Sequence, residues 1–228
     1  SYEKTLKGTV GAAVYEVNAR GEVLRMRSRT EPQSGKHVVL TLDASMQNFI
    51  FEKLGASIYA KRSPGGAVVA LDPRNGNVLA LVSFPGVDGT LLSQGLSREA
   101  YEALLAQPGD PFFNRALASR YPVGSTIKPF MGVAALTENI VTPATVIEDR
   151  GAITIPDVYV PGKVYTFHGY APLGPVTIFS AIALSSDIYF YTVGGGYGGI
   201  KGLGVERIEA YLRKFGFGEK LGIDVPGE

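Results

Sequence analysis

The chain has 228 residues, 45% of them hydrophobic, so it can bury the core of one large domain or of a domain with an appendage, and its lack of cysteine excludes disulfides and thiolate chemistry. Its 22 basic and 21 acidic residues give a formal net charge of +1, and the absence of a long run of either sign gives no basis for nucleic-acid binding. The longest apolar stretch, 177–193, is interrupted by Ser180, Ser185, Ser186 and Asp187 and predicts core helices, not a membrane span.

The N-terminal part of the chain predicts a small β unit followed by a linker. Residues 12–17 and 22–26 flank the turn-forming segment 18–21, a pattern typical of a β-hairpin. The segment 29–36 is polar and contains proline and glycine, and it therefore predicts a linker.

Helices and strands alternate in the rest of the chain. Asp43 predicts the N-cap of a helix over 44–59, and residues 67–71 and 77–82 predict two strands joined by 72–76, where Asn-Gly favours a tight turn. Further helices are predicted at 97–105, 125–136 and 204–215, the last with Val205, Ile208, Leu212 and Phe215 facing the core. This mixture predicts an α/β (α+β) fold.

The segment YPVGSTIKPF at 121–130 carries the first candidate for chemistry, because it places Ser125 three residues before Lys128. On a helix this spacing puts both side chains on one face. A serine is a weak nucleophile unless a base is held against it, and a lysine is that base only where it is largely neutral. The pair predicts acyl transfer through a serine ester. Taken alone, Ser125 also fits a helix N-cap and Lys128 a solvated side chain, and the same spacing recurs at 1–4.

A second candidate follows in the segment ALSSDIYFY at 183–191. Ser185 and Asp187, one residue apart, fit the second motif of the serine acyltransferases that react with penicillin. Taken alone, they also fit a polar break or cap between two apolar helical stretches.

Four longer segments, in order, extend this pattern over the whole chain. They are HVVLTLDASMQ at 37–47, GGAVVALDPRNGNVLALVS at 65–83, the segment from NRA at 114–116 through YPVGSTIKP at 121–129, and the segment from FGFG at 215–218 through GIDVPGE at 222–228. Together they resemble the opening, the first hairpin, the nucleophile segment and a further segment of a penicillin-binding transpeptidase domain. The chain is identified as similar to the class B, elongation-type branch, the penicillin-binding protein 2 group.

The resemblance implies a serine β-lactamase/penicillin-binding transpeptidase-like fold with a small N-terminal β stalk segment. Residues 1–36 are expected to be the end of the non-catalytic stalk, or pedestal, with its linker, and 37–228 the N-terminal part of the transpeptidase domain. No K-T-G or K-S-G follows Asp187. The sequence is therefore expected to be an incomplete, internal fragment that stops before the third motif and is inactive alone.

The function implied is that of a peptidoglycan D,D-transpeptidase, acylated also by β-lactams, that crosslinks stem peptides for cell elongation and shape. In this scheme Ser125 attacks a D-Ala-D-Ala carbonyl, Lys128 accepts the serine proton, and Ser185 relays a proton to the leaving amine. Ser125, Ser185 and Asp187 are also expected to contact the substrate. The Ser125 N–H is expected to supply half of an oxyanion hole.

Asp187 raises a physical question, because many relatives have asparagine at this position. A carboxylate beside Lys128 favours the ammonium form and opposes a role as base. Three arrangements remain open from the sequence: Asp187 points away, another cation offsets it, or the pair shares a proton.

Neither a cofactor nor a metal is expected. Some elongation-type relatives carry a zinc site of Asp, Asp, His and Cys, and Asp149 could match its first ligand. Phe167, Leu173 and Ser186 occupy the other positions, and His168 lacks partners of the right type and spacing.

The expected partners are D-Ala-D-Ala stem peptides, β-lactam antibiotics and a SEDS-type membrane glycosyltransferase that binds stalk and anchor; nucleic acid is not expected. The expected location is the extracytoplasmic (periplasmic) face of the bacterial inner membrane, with the anchor upstream. Two alternatives stay open: a β-lactamase-like hydrolase, for which no acidic residue stands out, and a non-catalytic scaffold for the glycosyltransferase. A K-[ST]-G motif downstream in the parent gene would favour the enzyme. A natural stop near residue 228 would favour the scaffold.

Overall fold

Helices and short antiparallel strands are mixed along the chain in the computed structural model, which describes residues 2–225 and 227. The predicted α/β class is confirmed. Ser1, Pro226 and Glu228, which belong to the predicted segments 1–36 and 37–228, lie outside the described residues.

Within the described residues the strands form four two-stranded antiparallel sheets, β1–β2, β3–β4, β5–β8 and β6–β7. The strands are β1 (Ala12–Val17), β2 (Val23–Thr30), β3 (Gly66–Leu71), β4 (Val78–Phe84), β5 (Ile147–Asp149), β6 (Ala152–Pro156), β7 (Val164–His168) and β8 (Gly174–Val176). The helices are α1 (Glu3–Leu6), α2 (Ala44–Lys61), α3 (Gly89–Gln94), α4 (Arg98–Leu105), α5 (Arg115–Ala118), α6 (Lys128–Thr137), α7 (Ile178–Ala183), α8 (Asp187–Gly195) and α9 (Gly204–Lys214).

The chain divides into two units. The first consists of the residues up to Arg120 together with those from Gly222 onward, and the second is Tyr121–Leu221. All four predicted site residues belong to the second unit.

The first unit contains the predicted hairpin after α1, and the second strand of this hairpin is longer than expected. The ladder of β1 and β2 continues until Ala12 pairs with Thr30 and Ala13 with Arg29. The predicted linker at 29–36 therefore starts two residues too early, because Arg29 and Thr30 still belong to the sheet.

Helix α2 is fixed at its N-terminus to strand β4. The Asp43 side chain accepts a hydrogen bond from the Met46 N–H at 2.9 Å, which confirms the predicted cap. The Gln47 amide donates to the Leu81 carbonyl at 2.9 Å and accepts from the Leu81 N–H at 2.8 Å. This two-way bond sets the position of the helix along the strand.

Phe84 is the centre of the aromatic packing between α2 and β4. Its ring lies 5.2 Å from that of Phe51 and 5.5 Å from that of Tyr59. A side chain at Gly55 would come within 2.7 Å of the Phe84 ring, so only glycine allows this approach. Burial of a side chain such as Val82 in this layer stabilises the fold by roughly 1.5–3 kcal/mol.

The core of the second unit surrounds α8. This helix is buried over most of its length, which confirms that the apolar stretch 177–193 forms core helices. No helix in the described part of the chain combines the length and apolar character that a membrane crossing requires. The buried core consists of Ala134, Ala135, Val141, Ile147, Val176, Ile178, Ala181, Tyr189, Phe190, Val193, Leu203 and Tyr211.

The predicted helix 125–136 begins differently from the expectation. Gly124–Ile127 form a 3-10 turn, and the α-helix starts only at Lys128. The Lys128 N–H donates to the Ser125 carbonyl, the i to i+3 bond of a 3-10 turn. Pro129 has no N–H with which to make the α-helical bond to that carbonyl, so the proline that follows the motif keeps Ser125 in the tighter turn.

Other parts of the second unit were missed or misassigned from the sequence. Strands β5 and β8 have three residues each, too few for a recognisable alternation. Val205, expected to face the core, is 79% exposed. It lies in the first turn of α9, six residues before the buried Tyr211 and therefore on a different face of the helix.

Candidate active site

The four predicted site residues meet around the buried ammonium group of Lys128. This side chain is only 8% exposed, and its Nζ donates to the Ser185 carbonyl at 2.7 Å, to Ser185 Oγ at 3.0 Å and to Asp187 Oδ1 at 2.6 Å. An ammonium group has three N–H donors and no acceptor. The three contacts therefore satisfy the protonated form of Lys128 in full.

Ser125 is reached through Ser185. The exposed Ser125 side chain accepts a hydrogen bond from Ser185 Oγ, with the two oxygens 2.9 Å apart. Among the described residues, no direct hydrogen bond joins Ser125 Oγ and Lys128 Nζ. The hydroxyl of Ser185 therefore connects the lysine to the first serine, and a proton can move between them only through this hydroxyl or after a side-chain movement.

Ser185 has a strained backbone. Its φ of 55° lies in the left-handed region, which costs a residue other than glycine about 1–2 kcal/mol. The flanking chain is held by hydrogen bonds from the Ser185 N–H to the Ile182 carbonyl at 3.2 Å and from the Tyr170 hydroxyl to the Leu184 carbonyl at 2.6 Å. Strain of this kind persists where the surrounding structure fixes it, and it concentrates at functional sites.

Asp187 faces Lys128 directly. It is the first residue of α8, where a negative charge interacts favourably with the helix dipole. Its side chain is 30% exposed, and the contact with Nζ is a true ion pair. Of the three arrangements left open by the sequence, the structure rules out the one in which Asp187 points away.

Two of the four residues that were compared with zinc ligands, Asp149 and Ser186, are joined by a hydrogen bond. Asp149 is 1% exposed, and its carboxylate accepts from Ser186 Oγ at 2.5 Å and from the Gly151 N–H at 2.9 Å. Phe167 and Leu173 offer no ligand atom in their side chains. In the part of the chain that the structure describes, no group of three or more His, Cys, Asp or Glu residues is placed to hold a metal.

Phe190 of α8 lies near Lys128, and the neighbouring Tyr189 is buried in the core. The Phe190 ring centroid lies 5.7 Å from Nζ, within the range of a cation–π contact. Burial raises the pKa of the Tyr189 hydroxyl, and this oxygen has no hydrogen-bond partner among the described residues. Tyr189 is therefore a neutral packing residue at physiological pH.

Sequence reasoning missed Phe190 and Tyr170. The spacing of Phe190, three residues after Asp187 on one helix, could have revealed it, since such residues share a face. No sequence signal points to Tyr170, because its partner is a backbone carbonyl in a distant loop.

Comparisons with known proteins agree on one family. The family described as "Penicillin binding protein transpeptidase domain" matches residues 66–228, and that described as "Penicillin-binding Protein dimerisation domain" matches residues 1–40. The chain is 37% identical over 227 residues to the peptidoglycan D,D-transpeptidase MrdA of Haemophilus influenzae, covering 100% of this chain and 32% of that protein. The chain thus spans about a third of the length of this curated relative.

Two solved structures are similar in fold as well as in sequence. A structure described as "Structural coordination of polymerization and crosslinking by a peptidoglycan synthase complex" superposes with a TM-score of 0.76 at 34% identity, covering 100% of this chain and 40% of that one. A complex between penicillin-binding protein 2 (PBP2) and MreC from Helicobacter pylori gives a TM-score of 0.73 at 28% identity, with coverage of 100% and 39%.

Proposed function

The chain belongs to the penicillin-binding protein transpeptidase family, and we propose that it carries the nucleophile segment and the second motif of an elongation-type peptidoglycan D,D-transpeptidase. The observation that carries this proposal is the hydrogen-bonded series from Lys128 Nζ through Ser185 Oγ to Ser125 Oγ. A serine, a buried amine and a hydroxyl between them are the groups that acyl transfer requires.

In the first half-reaction Ser125 Oγ attacks the carbonyl carbon of the D-Ala-D-Ala peptide bond. For this step the amine of Lys128 gives one proton to solvent, and the two hydroxyls turn so that Ser125 Oγ donates to Ser185 Oγ and Ser185 Oγ donates to Lys128 Nζ. The proton of Ser125 then passes to Ser185 Oγ as the proton of Ser185 passes to Lys128 Nζ. The tetrahedral intermediate collapses with cleavage of the C–N bond. Ser185 then passes a proton from Lys128 to the leaving nitrogen, so the terminal D-Ala departs with a neutral amine and Lys128 is again a base.

The Ser125 N–H supplies one donor to the developing oxyanion. It lies at the start of the 3-10 turn, where the first N–H groups have no partner within the helix. A donor so placed stabilises charge that appears only in the transition state.

In the second half-reaction an amine from a neighbouring stem peptide attacks the ester. The new amide bond forms as the Ser125–carbonyl bond breaks, and the amine proton returns to Ser125 Oγ through Ser185 and Lys128. A β-lactam enters the same path, but its ring nitrogen stays tethered after the C–N bond opens, so the ester persists.

The domain assignment and the location belong to this proposal. We assign residues 1–36 to the end of the stalk, and the dimerisation-domain match at 1–40 supports this assignment. We assign residues 37–228 to the N-terminal part of the transpeptidase domain, which the match at 66–228 supports. Peptidoglycan synthesis is an activity of the periplasmic side. We assign the protein to the periplasmic face of the inner membrane, anchored by an upstream segment.

Similar proteins support the proposed partners. A PBP2 relative has been solved with MreC, and another similar chain comes from a peptidoglycan synthase complex. We assign to this protein D-Ala-D-Ala stem peptides as substrate and a SEDS-type glycosyltransferase as the partner that contacts stalk and anchor.

The test is intact-mass measurement of the protein, with whatever sequence its gene encodes on either side of this chain, after exposure to benzylpenicillin. We expect a long-lived adduct of one drug molecule. A folded protein that gives no adduct would favour the scaffold, and drug turnover without an adduct would favour a hydrolase; either result contradicts the transpeptidase.

Asp187 is expected to act by holding Lys128 in place. Asp187→Asn keeps an oxygen that can accept from Nζ and should retain acylation by benzylpenicillin within severalfold. Asp187→Ala removes this acceptor and lets the amine move, which should slow acylation by about 100-fold, the cost of a misplacement of about 1 Å. Stopped-flow acylation rates of both variants decide this, and equal rates in Asp187→Ala and the parent would exclude a positioning role.

A further inference from the structure

Ser186 lies between the two residues that contact Lys128 from the second motif. It is fully buried and is the N-cap of α8, where its Oγ accepts from the Tyr189 N–H at 3.1 Å. The same oxygen donates to Asp149 at 2.5 Å. Because Ser185 precedes it and Asp187 follows it, any shift of Ser186 moves both of them.

Asp149 is a firm anchor for this contact. It ends strand β5, pairs with Gly174 in β8, and its carbonyl accepts from the Leu173 N–H at 3.1 Å. The second oxygen of its carboxylate accepts from the Gly151 N–H. Backbone and side chain are thus fixed by separate bonds, and the carboxylate has one oxygen directed at Ser186.

Burying a carboxylate costs free energy, because the group loses its contacts with water. It stabilises the fold only while its hydrogen bonds are made, whereas an apolar pair of similar volume would pack without that requirement. What the polar pair adds is direction, because a short hydrogen bond fixes the distance and angle between β5 and the start of α8. The strained Ser185 needs such a constraint, since its left-handed backbone would otherwise relax.

We propose that the Asp149–Ser186 pair is a positioning device that holds Ser185 and Asp187 against Lys128. Among the described residues, no hydrogen bond joins either of them to Ser125 or Lys128, so both act through their neighbours. The inference rests on the proposed acyl transfer and adds to it two residues that neither motif includes.

The experiment is a double-mutant cycle with Ser186→Ala and Asp149→Ala, in the same protein as the benzylpenicillin test. Acylation is followed over a range of benzylpenicillin concentrations. Each single variant should lower the limiting rate roughly 10- to 100-fold, with the half-saturating concentration changed by less than about twofold. The acylation rate of the double variant should be no lower than that of the slower single variant. Either single substitution already breaks the Asp149–Ser186 hydrogen bond, so the second has nothing more to remove.

One variant of the cycle and one control separate positioning from stability. Asp149→Ala leaves the Ser186 cap on α8 in place, so slow acylation in this variant cannot come from loss of the cap. Tyr211→Phe is the control: it removes a partly buried hydrogen bond of 2.8 Å to Glu138 in the same unit, outside the site. It should lower the thermal midpoint and leave the acylation rate unchanged.

The outcomes are decisive in either direction. Three results would each contradict the proposed positioning role. The first is a wild-type acylation rate in the folded Ala variants, and the second is an additive loss of rate in the double variant. The third is an equal loss of rate in Tyr211→Phe at the same thermal midpoint. If the Ala variants do not fold, Asp149→Asn decides. One oxygen of its amide cannot replace both carboxylate oxygens, so a severalfold loss supports the device and an unchanged rate overturns it. No acylation in the parent protein would instead contradict the proposed function, and this inference with it.

Discussion

Replacing Ser125 with alanine is expected to abolish covalent labelling by benzylpenicillin while leaving the protein folded. In the proposed mechanism its Oγ forms the ester, so the rate should fall on the order of 10⁶-fold, as when the nucleophile of a serine acyltransferase is removed. Stability should change little, because the side chain is exposed and its contact is one hydrogen bond from Ser185, a bond worth about 1 kcal/mol. Intact mass and the thermal midpoint measure the two effects.

Thr137→Ala is the control for this variant. Thr137 is also an exposed hydroxyl residue, at the far end of α6, and its Oγ1 donates one hydrogen bond to the Val133 carbonyl at 2.8 Å. Its loss should cost a similar amount of stability and leave the adduct intact. An adduct of unchanged yield in Ser125→Ala would place the nucleophile at another residue and contradict the mechanism.

The residues of the candidate site could be predicted from the sequence because its parts are local. Ser125 and Lys128 lie in one short segment, and Ser185 and Asp187 in another, so each pair shares a turn whatever the rest of the chain does. Helix caps such as Asp43 are local in the same sense, and the structure places that cap where the sequence predicts it.

The three-dimensional arrangement of the site residues could not be predicted from the sequence. The left-handed backbone of Ser185 has no signature in a serine, and the bond of Asp149 with Ser186 joins residues 37 apart in the chain. The strand that carries Asp149 is too short for a period-2 pattern. These features depend on tertiary contacts, which a single sequence does not display.

The orientation of Asp187 shows the limit most clearly. Physical reasoning identified the conflict between a carboxylate and a base, but three arrangements satisfied the sequence. The ion pair of 2.6 Å with Lys128 removes one of them. In the proposed mechanism, Lys128 must therefore act as a base while its side chain is in contact with a carboxylate.

Replacing Lys128 with methionine is expected to slow acylation by about 10²- to 10⁴-fold, the contribution of a positioned general base. Methionine keeps most of the buried stem, so packing is preserved, but Asp187 and the Ser185 carbonyl lose their partner. Removing one member of a fully buried ion pair costs about 3–5 kcal/mol. The loss here should be smaller, because the Asp187 side chain is 30% exposed and can regain water.

The double variant Lys128→Met with Asp187→Asn separates the chemical role of the lysine from its structural role. It removes the unpaired carboxylate, so the thermal midpoint should return toward that of the parent protein. Acylation should stay as slow as in Lys128→Met alone, since no base has been restored. If acylation recovered together with stability, the lysine would serve only to neutralise Asp187, and the proton of Ser125 would have to leave by a route that does not include Lys128.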